Sequence, residues 1–391
     1  MMPLRLCLVV ESGTDVRLVE GLVESFDLTI LARKVEGGVE VSHPPAISVP
    51  SVVGSASRLE FAMLVWRHLR QYRQRIDFVL VQGYGLAALA ANLASRFTGT
   101  PTAMLVCSPT VAYYRCRKAY PGVGKPFRRR ELWALHALAR MNGLIGRQYI
   151  VLSQHLADVV RGHGTRKPVD IVPIYGVDTR VFLPSKIPKG LIRAQLELPT
   201  SGSLILCSSR VAPEKDTETL LAAVQRLLDD GRDLWLLHRS GGYRTFLQHA
   251  EQFGIAERVI ATDAVHPHRQ LPRDYQAGDL YVQASREEGL GFSALEALAC
   301  GVPVIAASVG GLKETIVDGQ TGWTYPVGDW RTLARRIEEA LDELAEAARR
   351  AAAGRGLVCE KYDSRMAFRQ LSKVIGLSQM LEPSRECVGA S

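Results

Sequence analysis

A strand that runs into a glycine turn and out into a helix leaves a chain few folds to adopt. Here that stretch is Ser285-Arg-Glu-Glu288-Gly-Leu-Gly-Phe-Ser-Ala-Leu-Glu296, followed by Ala-Leu-Ala-Cys-Gly301-Val-Pro-Val-Ile305. The apolar run Leu280-Tyr-Val-Gln283 before it reads as a buried strand. Gly289 and Gly291 interrupt the chain, and Phe292 to Cys300 reads as a helix rich in Ala and Leu. Gly301-Val-Pro303 ends that helix, and Val304 begins the next strand. Such a helix start is an anion site, because backbone N–H groups point outward and the dipole favours negative charge. Glu288 and Glu296 frame the turn, with seven residues between them. Anion-binding backbone plus two acceptors suits a ligand that is part phosphate and part polyhydroxyl. A purely local account also stands: Ser293-Ala-Leu-Glu296 fits a capping box, and the glycines fit a tight turn.

The same alternation runs along the whole chain. Strands are expected at Leu4 to Val10, Asp27 to Leu31, Ile76 to Val81, Thr102 to Val106, Tyr149 to Leu152 and Val169 to Val172. Helices are expected between them, among them Val16 to Ser25, Ser57 to Arg75 and Leu86 to Phe97. A second series has strands at Ser203 to Ser208, Leu234 to Leu237, Arg258 to Ala261, Leu280 to Gln283, Pro303 to Ala306 and Gly322 to Tyr325. After it comes one long helix, Trp330 to Ala353. Strands alternating with helices imply parallel sheets with right-handed crossovers, and near-continuous apolar strands imply burial on both faces. The expectation is α/β: two doubly wound domains, 1–183 and 203–360, joined by a Pro/Ser/Lys-rich linker at 184–202. A helix at 361–378, capped by Asp363 or Ser364, and a flexible tail at 379–391 complete the chain. Ligands of such sheets bind outside the carboxyl ends of the strands, which places the site in a cleft between the domains.

Charge and cysteines narrow the class further. Residues 1–180 hold 23 Lys and Arg against 13 Asp and Glu, so the first half carries the positive field of a chain of net charge +8. Seven of those basic residues fall in the loop Arg115–Arg130 with no acid among them. Three readings of that loop stand: a solvated face, a site for an anionic acceptor, or a patch that docks on an anionic membrane leaflet. No recognisable nucleic-acid module accompanies it. The seven cysteines form no C-x-x-C pair and read as reduced thiols. No apolar run is long enough for a membrane span, and the N-terminus reads as a first strand, so the cytoplasm is the expected compartment.

A second constellation is Ser208-Ser-Arg210-Val-Ala-Pro-Glu-Lys215-Asp-Thr, after the first strand of the second series. Asp216 or Thr217 is placed to cap the next helix. Arg210 and Lys215 share one loop on the same sheet edge as the Glu288 turn, where two cations could clamp a diphosphate. Alternatively both are exposed loop charges, with Glu214 as partner to either.

Taken together these patches resemble a glycosyltransferase of the GT-B fold, in the large retaining group called glycosyltransferase family 4. Glu288 and Glu296 match its E-x7-E element, and Arg210 with Lys215 match its diphosphate loop. Val172-Pro-Ile-Tyr-Gly176-Val-Asp178-Thr-Arg-Val-Phe182 is similar to its connector between domains. Gly301-Val-Pro-Val-Ile, Gly310-Gly311, Glu314 and Gly319-Gln-Thr-Gly322 match the family's stretch after E-x7-E. The resemblance implies two facing Rossmann-like domains and transfer of a hexosyl unit from a UDP- or GDP-sugar to a hydroxyl of a glycan, glycolipid or small molecule. It implies that Arg210 and Lys215 hold the diphosphate, that Glu288 meets the donor sugar, and that Glu296 holds the ribose. Gly289, Leu290, Gly291, Phe292, Ser293, Gly310 and Gly311 would line the donor pocket, with Gly13 near the phosphates. It implies no metal and no other cofactor, and the sequence offers no D-x-D. It further implies retention through front-face displacement, with a covalent intermediate on Glu288 as the rival chemistry, and a final helix that returns to the first domain.

Departures from the pattern are Cys107-Ser108 in place of a His-Gly pair, His238-Arg239 before a glycine turn, and Asp263 near a position often held by glycine. His238, alone at a strand end, is read as structural. Two other functions remain consistent with the residues: a nucleotide-sugar epimerase of the same fold, and a sugar-nucleotide-binding module without catalysis.

Overall fold

The computed structural model describes residues 3–11, 14–33, 51–54, 57–119, 129–262 and 271–380. The chain divides into two compact units. Unit 1 comprises residues 1–108, 129–175 and 365–391, and unit 2 comprises 109–128 and 176–364. One boundary falls in the connector at Tyr175–Gly176, ahead of the Pro-rich stretch. The helix Thr110–Ala119 groups with unit 2, although residues up to 108 and from 129 to 175 belong to unit 1.

Unit 1 holds a sheet of seven parallel strands: β1 (Leu4–Val10), β2 (Phe26–Arg33), β3 (Ser51–Gly54), β4 (Phe78–Gln82), β5 (Thr102–Val106), β6 (Gln148–Val151) and β7 (Val169–Ile171). Their order is β3-β2-β1-β4-β5-β6-β7. Almost every side chain of β1, β4 and β5 is buried, as strands covered on both faces require. The helix Val16–Ser25 is capped by Asp15, which accepts from the Arg17 N–H at 3.0 Å, and buries Leu18, Val19 and Leu22. Gly21 on this helix leaves room for the Phe368 ring of the last helix, Ser364–Met380; a Cβ there would lie 2.0 Å from the ring. The last helix thus belongs to unit 1.

Unit 2 holds six parallel strands: β8 (Ser203–Cys207), β9 (Leu234–Arg239), β10 (Val259–Thr262), β11 (Leu280–Gln283), β12 (Val304–Ala307) and β13 (Trp323–Tyr325). Their order, β10-β9-β8-β11-β12-β13, is the doubly wound arrangement in which the winding reverses beside the first strand. Here the reversal lies between β8 and β11. Its core joins Ile205, Leu236, Leu280, Val282 and Ile305 to Leu220, Val224 and Phe246 on the covering helices.

Four local expectations need correction. The stretch 184–202 is not a free linker. It contains the helix Lys189–Gln195, whose buried Arg193 donates to the carbonyls of Ala277 and Gly202 and pairs with Asp279. A Pro- and Ser-rich composition hid one buried guanidinium. The basic stretch is not all loop, since Thr110–Ala119 is helical; residues 120–128 lie outside the described residues. The helix expected over Trp330 to Ala353 is two helices, Trp330–Asp342 and Leu344–Leu357, with Glu343 non-helical between them. The second buries Ala347 and Ala351 and presents Gly354 to Leu298. Asp363 does not spend its carboxylate only on a cap, because it accepts from the Thr179 hydroxyl at 2.6 Å and so ties the connector to the stretch before the last helix.

Replacing Arg193 by Ala leaves the Ala277 and Gly202 carbonyls without their donor, while Asp279 keeps Lys189 and the Leu204 N–H. We expect a loss of about 3 kcal/mol in urea unfolding of the whole chain, the scale of two buried acceptors left unmet. A loss under ~1 kcal/mol, the scale of a surface pair, would contradict the packed reading of this stretch.

Candidate active site

The parallel order of unit 2 brings the ends of β8 and β11 side by side, and their loops carry the charged residues. The β8 loop runs Ser208 to Asp216, and the β11 loop runs Ala284 to Gly291. Two contacts staple them: the Arg286 N–H donates to the Glu214 carbonyl at 2.9 Å, and the Arg286 guanidinium pairs with Asp216 at 2.9 Å. Asp216 sits in the left-handed region at φ 48°, and its other oxygen accepts from the Thr219 hydroxyl at 2.8 Å. It stands at the helix start without capping it, contrary to the expected N-cap, because its carboxylate is spent on Arg286 and Thr219.

Lys215 and Glu288 meet across this junction, Nζ to Oε2 at 2.5 Å, both nearly buried. The same Oε2 accepts from the Ser285 hydroxyl at 3.0 Å and from Gln283 Nε2 at 3.3 Å. Oε1 of Glu288 has no hydrogen-bond partner among the described residues. Arg210 does not reach Glu288. It donates to Oε1 of Glu214 at 2.6 Å, and Arg117 from the helix Thr110–Ala119 donates to the same oxygen at 3.1 Å. Burial alone would raise the Glu214 carboxyl, but the Arg117 hydrogen bond and the charges of Arg210 and Arg117 outweigh it and hold it below the usual carboxylate range. Glu214 is thus the partner of Arg210 and not of Lys215.

The turn itself depends on glycine where backbones touch. Gly291 has φ 91° and precedes the helix Phe292–Ala299, which no side chain caps. Gly310 has φ 50°, and a Cβ on it would lie 2.1 Å from the Glu288 carbonyl oxygen; one on Gly311 would lie 2.2 Å from that of Gly289. The Gly311 N–H donates to the Glu288 carbonyl at 3.1 Å. Leu290 is buried beneath the turn.

The capping-box reading of Glu296 is set aside by this geometry. Gly291, not Ser293, precedes the helix, and the buried Glu296 carboxylate accepts from the Tyr275 hydroxyl at 2.7 Å. Tyr275 also meets Ser208 at 3.1 Å, Ser208 meets Tyr281 at 3.2 Å, and Tyr281 donates to Gln283 at 2.6 Å. Gln283 in turn bonds Ser209, Ser285 and Glu288. A line of close polar contacts therefore runs from Glu296 to Glu288, with the one Ser208 hydrogen serving either Tyr275 or Tyr281, since both phenols donate onward.

Arg210, Lys215, Glu288, Gly289, Leu290, Gly291, Phe292, Ser293, Glu296, Gly310 and Gly311 all lie at this junction of unit 2. Gly13 and Asp263 lie outside the described residues. Gln283, Tyr275, Tyr281 and Arg117 were not singled out by motif, whereas Glu214 was named as a partner of Arg210 or Lys215. A polar Gln inside the otherwise apolar β11 was the one available signal. His238 is a packing residue: it is buried, stacks on Phe246 at 4.1 Å and bonds the Ser209 carbonyl at 2.8 Å. Burial and the Asp15 charge push the Cys107 thiol up to about 12, so it is neutral at ordinary pH. Among the described residues no cluster of His, Cys, Asp or Glu is arranged to hold a metal, and no helix is long and apolar enough to cross a membrane.

In unit 1 the equivalent reversal, between β1 and β4, is occupied differently. Glu11 accepts from the Ala87 N–H at 3.3 Å at the start of the helix Leu86–Thr98, and Gly85 is the residue that lets it in. A carboxylate already sits on that helix end.

Comparison with known proteins agrees with this division. Residues 188–356, within unit 2, match the family model described as glycosyl transferases group 1. A GDP-mannose-dependent alpha-(1-6)-phosphatidylinositol monomannoside mannosyltransferase of Mycolicibacterium smegmatis is 30% identical over 51% of this chain and 54% of its own length. A 2-deoxystreptamine glucosyltransferase of Streptomyces kanamyceticus is 28% identical over 73% of this chain and 72% of its own. The chain thus spans about half of the first of these relatives. Among solved structures, sucrose-phosphate synthase from Thermosynechococcus elongatus superposes with a TM-score of 0.79 at 20% identity, covering 95% of this chain and 98% of that one. Anabaena HepE in complex with UDP-glucose does so at 0.75 and 16%, covering 95% and 99%. The fold is GT-B.

The lowered Glu214 carboxyl stabilises the fold fully above the usual value of about 4.3, and this contribution fades as pH falls through the lowered value. The Tm gap between the wild type and Glu214→Gln should therefore be widest near neutrality and close in acid. A gap that stays constant with pH would contradict an ionised Glu214.

Proposed function

We propose that the chain is a retaining glycosyltransferase that moves a hexosyl unit from a UDP- or GDP-sugar to a hydroxyl of a glycan, glycolipid or small-molecule acceptor, with no metal ion taking part. The observation that carries this reading is the Lys215–Glu288 contact at the reversal point of unit 2, with Arg210 on the same loop. Such crevices are where doubly wound sheets bind nucleotides. Support comes also from the two relatives with glycosyltransferase names and from HepE, whose structure holds UDP-glucose.

In this reading the ligand exchanges partners with the protein. Lys215 turns from Glu288 to the diphosphate, and Arg210 adds a fork of N–H donors. Glu288, held at Oε2 by Ser285 and Gln283, keeps its second oxygen for the sugar hydroxyls. Glu296, fixed by Tyr275, takes the ribose, and the backbone from Gly291 to Ser293 faces phosphate and sugar. The bond from the anomeric carbon to the departing phosphate breaks on the face where the acceptor oxygen bonds. The acceptor's proton passes to that phosphate oxygen, so no protein nucleophile is needed. Arg210 and Lys215 stabilise the charge that grows on the leaving diphosphate.

Thermal-shift measurement against UDP, GDP, ADP and their sugars identifies the donor, since ligand at 100 times its Kd stabilises by ~2.7 kcal/mol. Arg210→Ala should slow transfer by ~2.7–4 kcal/mol, the scale of a lost transition-state donor. Glu288→Gln should cut transfer and leave nucleotide affinity largely intact. Wild-type transfer by the Arg210 variant, or donor turnover without any acceptor on NMR product analysis, would overturn the proposal.

A further inference from the structure

The helix Thr110–Ala119 packs on the β8 loop, and its Arg117 reaches the fully buried Glu214 with two hydrogen bonds, at 3.1 and 3.4 Å. Arg210 holds the same carboxylate. Two guanidinium groups therefore share one negative charge, while Lys215 is matched by Glu288 and Arg286 by Asp216. The cluster of Arg117, Arg210 and Glu214 thus carries one positive charge in excess, on groups that face water: the Arg117 and Arg210 side chains are 39% and 54% exposed, and Glu214 is 0%. Arg210 commits one of its N–H donors and Arg117 two, and their remaining donors have no partner among the described residues. Like charges held this close repel, and an anion that takes their outer faces relieves the repulsion.

We propose that Arg117 is a third cation of the diphosphate site, brought onto the β8 loop by a helix that none of the donor-loop motifs contains. This rests on the nucleotide-sugar reading above and adds a residue to it. Glu214 fixes both forks side by side from below, and the diphosphate oxygens bind them from the solvent side. The matched ligand is a nucleoside diphosphate rather than a monophosphate, because two forks and an ammonium provide more donors than one phosphate group accepts.

Calorimetric titration of the whole chain with UDP, GDP, UMP and GMP tests this in wild type, Arg117→Gln and Arg117→Lys. The Gln variant should lose about tenfold in affinity for the preferred diphosphate and under about twofold for its monophosphate, and Lys should restore part of the loss. Glu214 keeps Arg210 in both variants, so the fold survives, which a thermal melt checks. A Gln variant that binds the diphosphate like the wild type overturns the inference, as does equal loss for diphosphate and monophosphate. A wild type that binds no nucleotide at all overturns the donor reading itself, and this inference with it.

Discussion

At the junction of β8 and β11, Lys215 is matched by Glu288 and Arg286 by Asp216, and Glu214 is shared by Arg210 and Arg117. That constraint governs the rest of the site. A lysine and a glutamate nearly out of water are costly alone, and breaking such a pair by deleting one partner costs more than the pair contributes. Exchanging one partner for another is different. In the proposed reaction an arriving diphosphate takes the place of the carboxylate on Lys215, and sugar hydroxyls take the place of the ammonium on Glu288. Neither group is ever left bare, so the exchange avoids the full desolvation penalty.

The exchange also needs a rigid floor. The line of polar side chains Glu296–Tyr275–Ser208–Tyr281–Gln283–Glu288 lies mostly out of water, where hydrogen bonds are strong when made. It joins the two glutamates that frame the turn, so their separation is set by packed side chains as well as by the helix between them. The glycines at 310 and 311 act from above, where the backbone of one loop rests directly on that of the next. Orientation is thus imposed from both sides before any ligand binds.

Much of this was legible in the sequence because it repeats. The alternation of apolar runs with helical spacing marked nearly all of the strands, and glycine spacing marked the turn. What was not legible depended on single contacts between distant residues. Nothing in Pro-Ser-Lys-Ile-Pro foretells that Arg193 will be buried against Asp279, 86 positions on. The break at Glu343 is hidden because Ala, Arg and Glu favour helix on both sides of it. Glu296 fitted a capping pattern that the fold does not use, since where the helix starts depends on the left-handed Gly291 and not on local composition. Arg117 stood in a run of like charges, where spacing cannot tell the one that finds a buried carboxylate from those that meet water.

The division of the chain has a consequence for its synthesis. Unit 1 is built from residues at both ends, with Phe368 seated over Gly21 and Ala367, Leu371 and Ile375 buried on the same closing helix. A nascent chain therefore emerges from the ribosome with its first domain unfinished, and that domain waits for nearly the whole of the second to be translated. Folding from the N-terminus onward cannot complete the units one after the other. Until then the surface around Gly21, which Phe368 later covers, stays open.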